Sequence, residues 1–232
     1  MNEQQAKEIV DRVIGQIFGF QNPLTLEQVQ QKFAFDIRLP QQVFDYTNNQ
    51  VTWAASTNPT KFISFENMQS FPQDHFMQPP QQLNTIEDVI AAWGKVNAFA
   101  TERTIDTQNV AQSDCVYFSE NVWRSVDVSR SKNVVFSDGI QDGCEYIVAS
   151  QRSQSSSFCM RLEDSSSCSN SFGVSWSNNV TNSFMIQDAK DLSDCMFCAH
   201  LTGKRFCIAN MQFSEEEYKR IKDLVVRWIL TN

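Results

Sequence analysis

The sequence predicts an α+β N-terminal domain over residues 1–105, then a mainly-β, right-handed parallel β-helix over residues 106–212. A C-terminal amphipathic capping helix follows over residues 213–232. Three observations carry this fold class. Composition changes near residue 105: all six prolines precede residue 81, all seven cysteines follow residue 114, and twenty serines lie between Ser113 and Ser193 against four elsewhere. Beyond that change, short apolar runs recur from Cys115 to Phe206, 91 residues in eight steps, or roughly 11 each. The last residues then return to a helical apolar period.

The first helix is marked by Ile9, Val10, Val13, Ile14, Ile17 and Phe18 at helical spacing, and Asn22-Pro23 ends it. Thr25 with Gln28 forms a capping box for a second helix whose stripe is Leu26, Val29 and Phe33. Gln50 to Ala55 and Lys61 to Phe65 are β-branched and aromatic, and the break at Thr57-Asn58-Pro59 suggests that they pair as a hairpin. Ser70 to Gln82 is rich in Pro and Gln and reads as a loop or arm. A third helix starts at Thr85, with Asp88 as box partner and Ile86, Val89, Ile90, Trp93 and Val96 as its apolar face.

In the second half, runs such as Cys115–Phe118, Val134–Phe136, Phe158–Leu162, Phe184–Ile186 and Phe206–Ile208 alternate with Ser, Asn, Asp and Gly. A sandwich is the competing architecture. The solenoid is favoured by strands of three to five residues, by repeats that resemble one another, and by the near absence of Asn-Gly or Asp-Gly turns outside Asp138-Gly139 and Asp142-Gly143. Two such strands per coil give about 22 residues per coil, four to five coils and a rod of roughly 20 Å. Small Ser, Cys and Val residues suit its interior. Uncapped solenoid ends expose strand edges. Ser214 with Glu217, and Phe213 with Tyr218, start a helix with Ile221, Val225 and Trp228 on one stripe, expected to lie across the last coil. The helical first half is expected to cover the other end.

The segment Leu201-Thr202-Gly203-Lys204-Arg205-Phe206-Cys207-Ile208-Ala209-Asn210-Met211-Gln212-Phe213-Ser214-Glu215-Glu216-Glu217-Tyr218 resembles the C-terminal signature of uncharacterised Ser/Asn/Cys-rich repeat proteins of small-genome bacteria. Their coils end in an aromatic-Cys-Ile-x-Asn-x-Gln-aromatic-Ser motif and a Glu-Glu-Tyr helix. The resemblance covers about residues 110–232. It implies a β-solenoid and carries no catalytic residue.

Composition narrows function. With 41% hydrophobic and 20% charged residues the chain is globular, and its net charge of −8 disfavours nucleic acid and anionic membrane surfaces. No basic n-region precedes an apolar run and no run is long enough to span a bilayer, so a cytoplasmic protein with reduced cysteines is expected. Cys195-x-x-Cys198-x-His200 with Cys207 offers four zinc-type ligands within 13 residues, at a spacing unlike a zinc knuckle. These are weak metal candidates, and the simpler reading makes the cysteines small core residues. Asp114, Asp142, Glu145, Glu163, Asp164, Asp188, Asp191 and Asp194 could supply the two carboxylates of a glycan-active β-helix, although acids at coil corners also serve as turn formers. No nucleophile elbow, P-loop or G-x-G-x-x-G occurs. Trp123 with Arg124, and Trp176, could mark an outward binding face, or could be core. The reading that results is a non-enzymatic interaction or scaffold protein without catalytic residues or cofactor. It meets a protein partner or a second copy, with a glycan as a further ligand. The alternatives are a carboxylate-dependent glycan-active enzyme and a zinc-stabilised module.

Overall fold

A computed structural model describes residues 1–58 and 61–231. Helix α1 (Glu3–Phe18) is closed by an Asn2 capping box and by Gly19, whose φ of 73° places it in the left-handed region. Helix α2 (Leu26–Phe33) starts on the Thr25–Gln28 box read from the sequence. Strands β1 (Gln41–Phe44) and β2 (Val51–Ala54) form the antiparallel hairpin, with Phe44 opposite Val51. The expected pairing of residues 50–55 with 61–65 is therefore corrected. Strand β3 (Phe62–Ser64) instead pairs in parallel with β4 (Phe99–Thr101), and Pro59 of the expected break lies outside the described residues. Asp45 explains the arrangement. Its buried carboxylate accepts from the Thr47 hydroxyl, the Ser64 N–H and the Asn67 amide, tying the hairpin turn to β3 and to helix α3 (Phe65–Ser70). Helix α4 (Ile86–Val96) uses the Thr85–Asp88 box, but its apolar face is not buried: Ile86, Val89, Ile90 and Trp93 are all exposed.

From Thr104 to Ile208 the chain winds into a parallel β-solenoid of about nine turns. Its registers correct the coil length: Val116 pairs with Val128, Lys132 with Glu120, and Phe172 with Phe184, so most coils hold 12 residues, not 22. Nine coils at ~4.8 Å make a rod of roughly 40 Å. The apolar runs spaced near 11 were whole coils. The second strand of each coil, such as Asn178–Thr181 or Lys190–Ser193, is polar and carries no apolar run.

The coil has a period of three. Every third residue points inward, and the residue just before it has a positive φ near 50°. That backbone suits Asn, Asp and Gly and excludes β-branched side chains. The positions obey: Asn121 precedes Val122, Asp127 precedes Val128, Asn182 precedes Ser183 and Asp194 precedes Cys195, and among the described residues no Val, Ile or Thr takes a positive φ. Asp142-Gly143 is the one inserted residue, two consecutive left-handed positions that give a 13-residue coil pairing Lys132 with Glu145. Glycine meets the second of these without strain.

Four inward columns fill the core. In the early coils two are apolar (Val116, Val128, Ile140 and Val122, Val134, Ile147) and two are serine (Ser119, Ser131 and Ser113, Ser125, Ser137, Ser150). Midway they exchange: the first apolar column continues as Ser153, Ser165 and Ser177, and the last serine column continues as Leu162, Val174 and Ile186. Cysteine, intermediate in size and polarity between Ser and Val, marks other changes: Cys159 lies between Ile147 and Ser171, and Cys168 between Ser156 and Val180. Among the described residues no buried side-chain N or O atom lacks a partner.

A second core lies outside the coil. One side carries Trp123, Val135, Val148, Met160, Phe172, Phe184, Met196 and Ile208 one above another, buried by α1, α2 and the C-terminal helix α5 (Glu215–Thr231). Phe18 contacts Phe172 and Phe184 at 5.3 and 5.8 Å between ring centroids, and Phe33 meets Phe172 edge-on. Helices α1 and α2 thus lie along the solenoid, and it is the β1–β2 unit that meets its first coil, through Ala55 N–H to Asp114. Helix α5 starts at the last coils, where Tyr218 packs on Phe206, and its far end meets α2 through Lys32 Nζ and the Leu230 carbonyl. The terminal edge is folded back on itself: Cys207–Ile208 pairs antiparallel with Met211–Gln212, and Gln212 Nε2 donates to the Arg205 carbonyl at 2.6 Å.

Candidate binding face

The coil has four sides, because four inward residues separate four outward pairs. One side is buried under the three helices. A second faces α1 in part, where Arg12 donates to Tyr146 and Gln16 to Asn170. The two remaining sides meet at the column of Ser165, Ser177 and Ala189, and among the described residues no helix covers them.

The bare sides are built as polar ladders. Because successive coils stack, residues 12 apart become neighbours, and the outward groups pair along the rod. Arg130 bonds Asp142, Arg152 bonds both Asp164 and Glu163, and Asn179 donates to Asp191 at 2.7 Å. His200 Nδ1 lies 3.8 Å from Asp188. Of the carboxylates singled out in the sequence, Asp142, Glu163, Asp164, Asp188 and Asp191 thus lie on these sides beside cations, an amide or an imidazole. Asp114 differs, being fully buried: it accepts from Arg103 Nε and Nη2, both at 2.9 Å, and from the backbone of Ala55, Arg103 and Cys115.

The weak metal candidates separate. Cys195 and Cys207 sit on one inward column, with Cys198 on the next, while the His200 side chain is 76% exposed on the outside. Cys207 Sγ donates to the Arg205 carbonyl and to Gln212 Oε1. Among the described residues no group of three His, Cys, Asp or Glu could hold a metal ion. Burial pushes the Cys195 thiol up to about 12 and raises that of Cys198, because the thiolate would lose its hydration. All seven cysteines are unpaired.

The two tryptophans divide. Trp123 is buried beneath α2, and its neighbour Arg124 bonds Gln112 and Gln30 and lies over Trp53. Trp176 stands out of the polar ladders at 61% exposure, on the corner between the two bare sides. It lines a shallow depression of about 440 Å³ with Asp164, Ser166, Asn178, Asp188 and Lys190.

One feature escaped sequence reading. A cleft of about 370 Å³ lies where α3 meets the first coil, lined by Glu66, Glu102, Thr104 and Ser113. Burial, with the charges of Asp114 and Glu66, raises the Glu102 carboxyl against the opposing hydrogen bond from Thr52. No local signal marks this pair, since it forms only when α3 is folded against the coil.

The arrangement defines a β-solenoid protein with one helix-covered side and two exposed polar sides. Comparison with protein families, with curated proteins and with solved structures finds no match. Among the described residues no helix is long and apolar enough to cross a membrane.

Proposed function

We propose that the protein is a non-enzymatic interaction scaffold whose binding surface is the pair of bare solenoid sides. The observation that carries this reading is the division of the coil's exterior. One side is sealed by α1, α2 and α5, while the other two carry no helix among the described residues and, beyond the first coils that the β1–β2 unit and Arg38 reach, stay open with their charges tied coil to coil. Such a surface is stiff where its charged and amide side chains are held by those one coil away, as Arg130 is by Asp142 and Asn179 by Asp191. It therefore offers fixed hydrogen-bonding groups at low entropic cost to a partner. The unpaired thiols favour a reducing compartment, and we place the protein in the cytoplasm.

A photo-crosslinking residue at Asn179, on the bare sides, tests this against the same residue at Lys219 on α5, in extracts of the source cell. A discrete adduct formed only from position 179 is expected. Identical adducts from both positions, or none, would overturn the reading.

The Glu66–Glu102 cleft favours a second reading, a glycan-active enzyme, because glycoside cleavage needs two carboxyl groups, one of them protonated. Hydrolysis of aryl glycosides that Glu102→Gln abolishes would establish it; absence of turnover over a broad aryl-glycoside panel would discard it.

A further inference from the structure

We infer that the depression around Trp176 is a binding subsite for a neutral oligosaccharide, an inference that rests on the bare sides being the binding surface. Trp176 has a φ of 53°, the conformation that the coil imposes on each residue just before an inward one. Asn or Asp fills the same role at the positions one coil before and after, Asp164 and Asp188, both also left-handed. The indole is 61% exposed and lines the depression among polar groups. A large flat ring presented to solvent within a polar-lined depression points to a contact made outside the chain.

The surroundings select the ligand. A pyranose has one face of C–H groups and a rim of hydroxyls that each donate and accept hydrogen bonds. Trp176 supplies the platform for the C–H face. Around it stand acceptors (Asp164, Asp188) and donors (Lys190 and the Asn178 amide), with Ser166 able to do both. Asn178 Nδ2 is already held by Ser166 Oγ at 2.6 Å, which fixes the amide's orientation. The coils step at ~4.8 Å, close to the length of one pyranose ring, so a chain of sugars lying along the rod meets the aromatic platform once, at Trp176, and polar groups of the flanking coils on either side. Carboxylates on both flanks of the ring, on a chain of net charge −8, disfavour an anionic sugar.

The test is isothermal titration of the full chain with maltohexaose, cellohexaose and chitohexaose. At least one is expected to bind, with affinity lowered about tenfold or more in Trp176→Ala, partly retained in Trp176→Phe, and reduced in Asp188→Asn. Because Trp176 is exposed, these variants should melt with the wild type. No binding by any of the three sugars, or undiminished binding by Trp176→Ala, overturns the inference. If the sugars fail while the crosslinker at Asn179 still yields its own adduct, the scaffold reading stands and only the sugar subsite falls; if both fail, the reading beneath it falls as well.

Discussion

The hydroxyl of Ser125 accepts the backbone N–H of Ser137, one coil further on, at 3.1 Å, and donates to the carbonyl of Trp123 at 2.9 Å. The unit repeats. Ser113 serves Ser125, Ser137 serves Ser150, and Ser150 serves Leu162 in the same way, each hydroxyl meeting an inward N–H of the next coil. The buried serines are thus part of the backbone hydrogen-bonding scheme of the solenoid, and their abundance is a consequence of it.

Ser125→Ala removes an acceptor without offering water a way in, and leaves the Ser137 N–H buried and unmade. A loss of about 1–3 kcal/mol is expected. It is read as a lower midpoint in urea unfolding. Ser214→Ala, which removes a cap on an exposed helix start, should cost about 1 kcal/mol. A Ser125→Ala midpoint equal to that of the wild type would show that the ladder bonds carry no stability.

The three-residue period makes a sharper demand at Asn179, whose φ is 55°. Asn179→Gly should be close to neutral. Asn179→Val should destabilise by at least about 1–2 kcal/mol, because a β-branched side chain collides with its own backbone there. Equal melting temperatures for the two variants would refute the assignment of the coil.

The thiols set a pH limit. Burial pushes Cys168 up to about 11 and Cys195 to about 12, from an ordinary value of 9.0. The native form therefore keeps protons that the unfolded chain releases. Stability is complete below about pH 8.5 and falls as pH rises through the raised values, the sign required when the unfolded state binds fewer protons. Urea midpoints at pH 7.5 and 10 check this, and Cys195→Ala should flatten the difference. At neutral pH a thiol reagent should modify Cys115, the one partly exposed cysteine, ahead of the other six, which react on unfolding. A chelator should leave the melting temperature unchanged; stoichiometric zinc with a chelator-sensitive melt would instead join Cys195, Cys198 and Cys207 in a metal site.

Much of the architecture was legible because it is locally encoded. The Thr25–Gln28 and Thr85–Asp88 boxes each satisfy a helix start within four residues, and both helices begin there. The break near residue 105 and the tail helix were readable for the same reason. The coil length was not. The run at Val134–Phe136 shows one strand of its coil, while the strand after it, Asp138–Gln141, hides its inward Ile140 between polar residues. The readable signature was a period of three, a non-branched residue followed by Ser, Val or Cys, as in Asn133-Val134 and Asn170-Ser171. The pairing of β3 with β4 was equally hidden, since Phe62 finds its partner in Phe99, far along the chain.

The class of fold, the helix starts and the small residues of the interior rest on local stereochemistry, namely caps, apolar periods and the left-handed tolerance of Asn, Asp and Gly, and so can be read along the chain. Which surface is available follows from packing alone. Stacking at 12 residues places Asp164, Trp176 and Asp188 in one row, and sends Cys195 inward while His200 faces solvent. The helices then cover one side of the coil and leave two bare. Those outcomes depend on coil length and on packing between residues more than a hundred positions apart, such as Phe18 and Phe172, and no local window contains them.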